Sequence, residues 1–232
     1  MTGRRSSYHK IASTEVWPKQ DSQCTLQDFP LDVLNPVGFW TAQGPVVCGG
    51  YNGGGNKCFI YKHRQWMPWT NMTTLRGWAS AVQIGQNQAL IIGGESRYAY
   101  TNTTELVSSG GSEEGNEFPE TISRHCSFTI NATHGMVTAG LVGNPDGGGY
   151  SASTWFVDLT TTRVTPGPPM TKERDAHGCS IFKHGTKSYG IVSGGDDGKG
   201  YFAEDSSEMI DFDQESPNWT EGIQDKSKIV YL

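Results

Sequence analysis

The sequence predicts an all-β protein built from repeated units of four short antiparallel strands. Apolar runs end in a glycine pair at Gly49-Gly50, Gly93-Gly94 and Gly194-Gly195, with a degraded copy at Ala139-Gly140. The first positions of these pairs are 44, 46 and 55 residues apart (49 to 93, 93 to 139, 139 to 194). No segment has helical periodicity, and 30 glycines accompany 35% apolar residues. A recurring unit of this length indicates a repeat fold, and four short strands per unit are typical of propeller blades.

Each unit contains the same strands in the same order. Two apolar strands, joined by a turn rich in Gly and Asn, precede the glycine pair, and glycine suits a point where backbones converge. A polar loop follows, and then a third strand with a small residue before Glu, as at Thr104-Glu105 and Ser207-Glu208. A fourth strand with an aromatic residue or proline closes the unit. Units open near a positive charge, at Arg76, Arg124 and Arg174.

The glycine pair, the Glu strand and a closing Trp together resemble the kelch repeat. The segment that begins Arg174-Asp175-Ala176-His177-Gly178-Cys179 and ends at Trp219 fits best, and the resemblance covers residues 11–221. The segments around Cys48, Cys58 and Arg76-Gly77-Trp78 are similar to animal kelch proteins that carry cysteines and no other recognisable domain. The third unit departs most, because it lacks both the glycine pair and the closing Trp. The resemblance implies a kelch-type β-propeller.

The predicted domain organisation leaves the number of blades open. We expect a disordered tail at 1–10 and one kelch propeller over 11–232. Its parts are the outer strands of a first blade (11–30), four blades (about 31–70, 71–118, 119–170 and 171–221) and a closing or truncated segment (222–232). Residues 228–232 could supply an inner strand of the first blade, which would give about five blades. Alternatively, the chain is an incomplete six-bladed ring, since kelch propellers usually have six or seven.

Composition excludes several partners. The net charge is −6 and no basic run occurs, so neither nucleic acid nor an anionic membrane is an expected partner. No apolar stretch approaches the length of roughly eighteen residues that a membrane-spanning helix needs. No apolar segment follows the basic N-terminus, so no signal peptide is expected in this chain.

Sequons and cysteines favour an extracellular or secreted protein. Cys48 and Cys58 flank one glycine-rich loop, where a bridge between adjacent strands is reasonable. The alternative is a cytoplasmic protein with buried free thiols. Five cysteines are an odd number, and the sequence leaves the state of Cys24 open. The predicted glycosylation sites are Asn71, Asn102, Asn131 and Asn218.

The loops after the glycine pairs are the predicted binding site. They are rich in tyrosine and charge, and tyrosine is enriched at recognition hot spots. The candidate residues are Tyr51, Arg97, Tyr98, Tyr100, Tyr150, Asp196, Asp197, Lys199 and Tyr201. Alternatively, the tyrosines cover glycine backbone and the opening arginines pair with the Glu strand. We expect a non-enzymatic module, without a cofactor, that binds protein or peptide.

Two other functions stay open. His125-Cys126 and His177-Gly178-Cys179 occupy equivalent places on neighbouring inner strands, where they could hold a metal, or Cys126 and Cys179 could form a disulfide. Some kelch proteins resemble metal-dependent oxidases, and others are substrate adaptors of ubiquitin ligases, of which this chain could be a fragment. The chain has no nucleophile elbow, phosphate loop or paired-His zinc motif, so we predict no catalytic residue and no metal site.

Overall fold

The structure is a computed structural model that describes residues 26–51, 53–96, 99–143, 148–198 and 206–222. These residues form β-strands and turns and contain no helix. The chain divides into two compact units, residues 1–118 and 119–232. The predicted tail, the first part of the predicted first blade with Cys24, and residues 223–232 lie outside the described residues.

Two four-stranded antiparallel sheets make up the first unit. The first sheet has the strand order β1-β2-β3-β4, and the second has the order β10-β9-β6-β5. Two strands of two residues each, β7 and β8, pair with one another in the loop that follows β6 and its glycine pair. The strands are β1 (Val37–Thr41), β2 (Gly44–Cys48), β3 (Lys57–Lys62), β4 (Gln65–Asn71), β5 (Ser80–Ile84), β6 (Gln88–Ile92), β7 (Glu95–Ser96), β8 (Ala99–Tyr100), β9 (Thr104–Ser108) and β10 (Gly111–Glu114).

The second unit has one irregular and one regular sheet. The irregular sheet has the order β11-β13-β14-β15, and β12 also pairs with β13; the regular sheet has the order β16-β17-β18-β19. The strands are β11 (Ile122–Ser123), β12 (Cys126–Thr129), β13 (His134–Val142), β14 (Gly149–Asp158), β15 (Val164–Pro166), β16 (Gly178–His184), β17 (Lys187–Ser193), β18 (Ser207–Asp211) and β19 (Trp219–Glu221).

Inner strands pack face to face within each unit. In the first unit, Val37 and Phe39 of β1 are buried against Ala79 and Ala81 at the start of the second sheet. In the second unit, Phe128 of β12 packs in a cluster that includes Cys179 and Ile181 of β16, together with Met136 and Trp219. Side chains of the inner strands therefore fill the space between the two sheets of each unit, as between neighbouring propeller blades.

The glycine pairs mark a backbone turn that recurs in every sheet. Gly49, Gly93 and Gly194 have φ angles of +69°, +57° and +69°. The irregular sheet has Ala139 at this position, and its φ of +45° is also left-handed. The register between β13 and β14 shifts at this point, between Thr138 and Gly140. The degraded copy in the sequence thus keeps the geometry of the pair without its first glycine, at a steric cost that glycine avoids.

The prediction of antiparallel four-stranded sheets in an all-β chain is confirmed. The kelch type of the repeat and the number of blades, about five or an incomplete six, stay predictions.

Candidate recognition loops

The residue after each glycine pair has the same backbone setting in all four sheets. It pairs with a residue at the start of the same sheet. The residue that follows this partner in the chain has a left-handed backbone conformation in each case. These pairs are Leu34 with Tyr51, Gly77 with Glu95, Ser123 with Leu141 and Asp175 with Asp196. The rigid sheets therefore present one side chain each, at the point where a polar loop begins, which is a common arrangement for binding residues.

The first unit places a tyrosine and a carboxylate together here. The Tyr51 hydroxyl donates a hydrogen bond to Glu95 Oε2. The Tyr51 ring lies over Gly77, where an added Cβ would come within 2.5 Å of a ring carbon. Tyr100, partly buried, pairs with Glu95 in the β7-β8 hairpin. Arg97 and Tyr98 lie outside the described residues.

The second unit contains a larger cluster around Tyr150. Leu141 and Tyr150 are partners across β13 and β14, and the Tyr150 ring covers Gly198, where it leaves no room for a Cβ. Partial burial raises the pKa of the Tyr150 phenol, and the negative charges of Asp196 and Asp175 raise it further. The phenol therefore experiences the negative charge of these two carboxylates.

Arg124 and the aspartates complete the cluster around Tyr150. Asp175 is buried, and its Oδ2 accepts a hydrogen bond of 3.4 Å from Arg124 Nη1. Burial raises the pKa of Asp175, and the charge of Arg124 opposes this effect. Asp196 stabilises a turn in the loop after Gly194-Gly195, because its Oδ1 accepts a hydrogen bond of 2.9 Å from the Gly198 amide. Asp197 is partly exposed, while Lys199 and Tyr201 lie outside the described residues.

Two opening arginines, one in each unit, lie outside the loop clusters, because they are buried in ion pairs. Arg76 is 1% exposed, and its Nε donates to Glu105 Oε1 at 3.0 Å. Its Nη1 donates to the carbonyls of Gly93 and Thr103 at 2.8 and 2.9 Å. Burial alone would raise the pKa of Glu105, but hydrogen bonds, above all from Ser112, and the charge of Arg76 hold it below its usual value.

The second unit repeats this arrangement. Arg174 Nη2 donates to Glu208 Oε1 at 3.2 Å, and Glu208 is fully buried. Arg174 Nη1 donates to the carbonyls of Gly194 and Ser206 at 2.8 and 3.2 Å. Glu208 also accepts the backbone amide of Thr171 at 2.6 Å. The pairing of the opening arginine with the Glu strand, an alternative that the sequence left open, therefore holds for these two sheets.

The alignment of Arg124 with Arg76 and Arg174 is wrong by two residues. Arg124 has a φ of +54° and matches Trp78 and Ala176, which are also left-handed. The irregular sheet has no glutamate on its third strand at the position of Glu105 and Glu208, because Trp155 stands there. Arg124 instead pairs with Asp175 and so joins the loop cluster.

Of two disulfides, one lies within a sheet and the other joins two sheets. Cys48 and Cys58 are bonded directly across β2 and β3, and Cys126 and Cys179 join the inner strands of the two sheets in the second unit. The second bond uses the sulfurs that a metal site would need. In the described part of the chain, no group of three or more His, Cys, Asp or Glu residues is arranged to hold a metal ion.

The histidines beside the second disulfide lie in the interior. His177 Nε2 forms a hydrogen bond of 2.9 Å with Thr138 Oγ1. Burial, together with the charge of Arg174, lowers the pKa of His177 to about 4. His177 is therefore neutral near pH 7 and belongs to the packing between the two sheets, and His125 is similarly buried.

These observations define a protein of propeller-blade sheets that contains two disulfides and has tyrosine- and carboxylate-bearing loops. The chain is similar in fold to a solved structure, that of the propeller-type protein YjhT, with a TM-score of 0.68 and 13% identity. The match covers 84% of this chain and 66% of the YjhT chain, just under two thirds of its length. No protein-family model matches the chain, and no curated protein matches it in sequence. Within the described residues, no helix has the length and apolarity to cross a membrane.

Proposed function

We propose that the protein is a non-enzymatic, kelch-type binding module that takes a protein or peptide partner on its recognition loops. The observation that carries this proposal is the cluster of the second unit. There the Tyr150 ring covers Gly198, whose amide donates to Asp196, and Asp196 pairs through the backbone with Asp175, the ion-pair partner of Arg124. A partly exposed aromatic ring beside carboxylates, on loops held by rigid sheets, offers both contact area and directed hydrogen bonds.

The partner carries a basic side chain. Tyr150 supplies a ring face for a cation, and Asp196 and Asp197 supply carboxylates for a guanidinium or ammonium group. The first unit has the same combination in Tyr51 and Glu95. The net charge of −6 also favours encounter with a basic partner.

The module acts outside the cell. Two disulfides are compatible with that location, because such bonds persist in oxidising compartments. We also propose that the sheets are blades of a propeller, either a ring of about five blades or an incomplete six-bladed ring.

Panning a random peptide library against the immobilised full chain tests the proposal. We expect enrichment of peptides rich in Lys and Arg, and Tyr150→Ala should weaken their binding about tenfold or more, as for a hot-spot tyrosine. Tyr189→Ala is the matched control, because Tyr189 stacks on Phe182 in β16 and β17, about 15 Å along the strand from the glycine pair.

Three results would contradict the proposal. Equal binding by both variants would remove Tyr150 from the site. A large fall in melting temperature for Tyr150→Ala, without specific loss of binding, would show that the ring only covers Gly198. Stoichiometric copper, iron or zinc in the purified protein would contradict the non-enzymatic assignment.

A further inference from the structure

The four sequons differ in how the folded chain presents them. In three of them, one residue of the triplet is buried: Met72 after Asn71 is 2% exposed, Thr104 after Asn102 is 2% exposed, and Trp219 after Asn218 is 5% exposed. The fourth, Asn131-Ala132-Thr133, is exposed at all three positions. It lies in the turn between β12 and β13, and His134, the first residue of β13, is also exposed.

Hydrogen bonds orient the Asn131 carboxamide. Its Oδ1 accepts the backbone amides of Thr133 and His134, both at 2.9 Å, and the Thr133 hydroxyl at 3.0 Å. With the oxygen held against the turn, the nitrogen Nδ2 points away from these donors. By contrast, Asn102 Nδ2 lies 3.5 Å from Glu117 Oε2, and Asn218 Nδ2 donates to the Ser216 carbonyl at 3.1 Å.

We propose that Asn131 carries an N-linked glycan, which rests on the extracellular location in the proposed function. The donor is an oligosaccharide linked to a polyprenyl diphosphate. Nδ2 forms a bond to the anomeric carbon of the first sugar, and the bond from that carbon to the diphosphate oxygen breaks. The lipid diphosphate leaves with the electron pair, and Nδ2 loses one proton, so no oxidant or reductant is consumed.

The glycan lies away from the recognition loops. The turn at Asn131 precedes β13, whereas Leu141, the partner of Tyr150, lies near the other end of the same strand. Seven residues separate His134 from Leu141 (141 − 134), which places the two ends roughly 20 Å apart along the strand. A glycan on Asn131 therefore shields one end of the sheet and leaves the cluster around Tyr150 open.

The test is expression of the full chain behind an added signal sequence in eukaryotic cells, followed by intact-mass measurement before and after removal of N-glycans. Asn131→Asp keeps the acceptor Oδ1 of the turn and abolishes the sequon, so it should lose the mass of one glycan. Asn102→Asp is the matched control and should lose none. The glycosylated and the deglycosylated protein should bind a basic peptide equally.

An unchanged mass for Asn131→Asp in secreted, disulfide-bonded protein overturns the inference, as does a glycan confined to Asn102. The added signal sequence directs the chain into the secretory pathway whatever its natural location. A missing glycan therefore contradicts the assignment of Asn131 and leaves the proposed function untouched. Failure of the proposed function shows separately, as loss of specific peptide binding.

Discussion

Removing the charge of Glu208 should destabilise the protein more than any surface substitution. Glu208 is fully buried, and its carboxylate faces Arg174, which is 2% exposed. In Glu208→Gln, the remaining carbonyl oxygen can still accept the amide of Thr171, but the guanidinium has no counter-charge. Breaking one side of a buried ion pair costs about 3–5 kcal/mol. That is a large fraction of the roughly 5–15 kcal/mol by which domains are stable.

A double-mutant cycle separates the ion pair from its surroundings. Arg174→Met with Glu208→Gln removes both charges, so the double variant should be less destabilised than the sum of the two single variants by at least about 1 kcal/mol. Urea unfolding followed by circular dichroism gives the four free energies. Lys187→Met is the control, because Lys187 pairs with Asp211 at the surface, and it should change stability little.

Additive single effects, within about 0.5 kcal/mol, would refute the reasoning. So would a loss for Lys187→Met as large as that for Glu208→Gln. The same cycle on Arg76 and Glu105 should give losses of unfolding free energy of similar size, because the two ion pairs have matching hydrogen bonds.

Two further predictions concern the disulfides and a buried histidine. Replacing Cys126 and Cys179 by serine should lower the free energy of unfolding by about 4 kcal/mol, and replacing Cys48 and Cys58 should lower it by about 2.7 kcal/mol. These values are the loop entropies for separations of 53 and 10 residues. A lower urea midpoint for the variant without Cys48 and Cys58 would contradict the entropic argument. The pKa of His177, about 4, lies below its unfolded value of about 6.5, so the unfolded chain binds more protons between these values. Stability should therefore fall by up to about 3 kcal/mol as pH drops from 6.5 to 4, and an equally steep fall in His177→Gln would exclude His177 as the cause.

The glycine pairs and strand pattern were sufficient to predict the sheets. The left-handed turn after each second strand has glycine in three of the four sheets, so Gly49, Gly93 and Gly194 show up as a period in the sequence. The Cys48–Cys58 bond was predictable for a similar reason, because both residues flank one loop. For Cys126 and Cys179, the sequence allowed either a metal site or a disulfide. Their positions on facing inner strands, which only the structure shows, identify the disulfide.

The candidate site was harder to predict than the fold. An arginine before an apolar strand has the same local sequence signal whether it is buried or exposed, so Arg124 was aligned with Arg76 and Arg174. The signal that could have separated them is the third strand, which has Glu105 or Glu208 in the regular sheets and Trp155 in the irregular one. A buried arginine needs that carboxylate, and without it the charge must lie elsewhere.

The roles of the loop tyrosines could not be predicted from residue type. Covering a glycine and contacting a partner both favour a tyrosine. The rings of Tyr51 and Tyr150 lie over Gly77 and Gly198, as the covering alternative requires. Recognition is favoured by carboxylates that other segments of the chain supply. Glu95 accepts a hydrogen bond from the Tyr51 hydroxyl, and Asp196 accepts one from the Gly198 amide under the Tyr150 ring.

Hydrogen exchange measured with and without an enriched basic peptide tests the proposed binding surface most directly. On binding, amides in residues 148–151 and 194–198 should exchange more slowly, because they flank Tyr150 and Asp196, while the turn at 130–134 should be unchanged. Protection at 130–134 without any change in the two loop segments would contradict recognition through these loops.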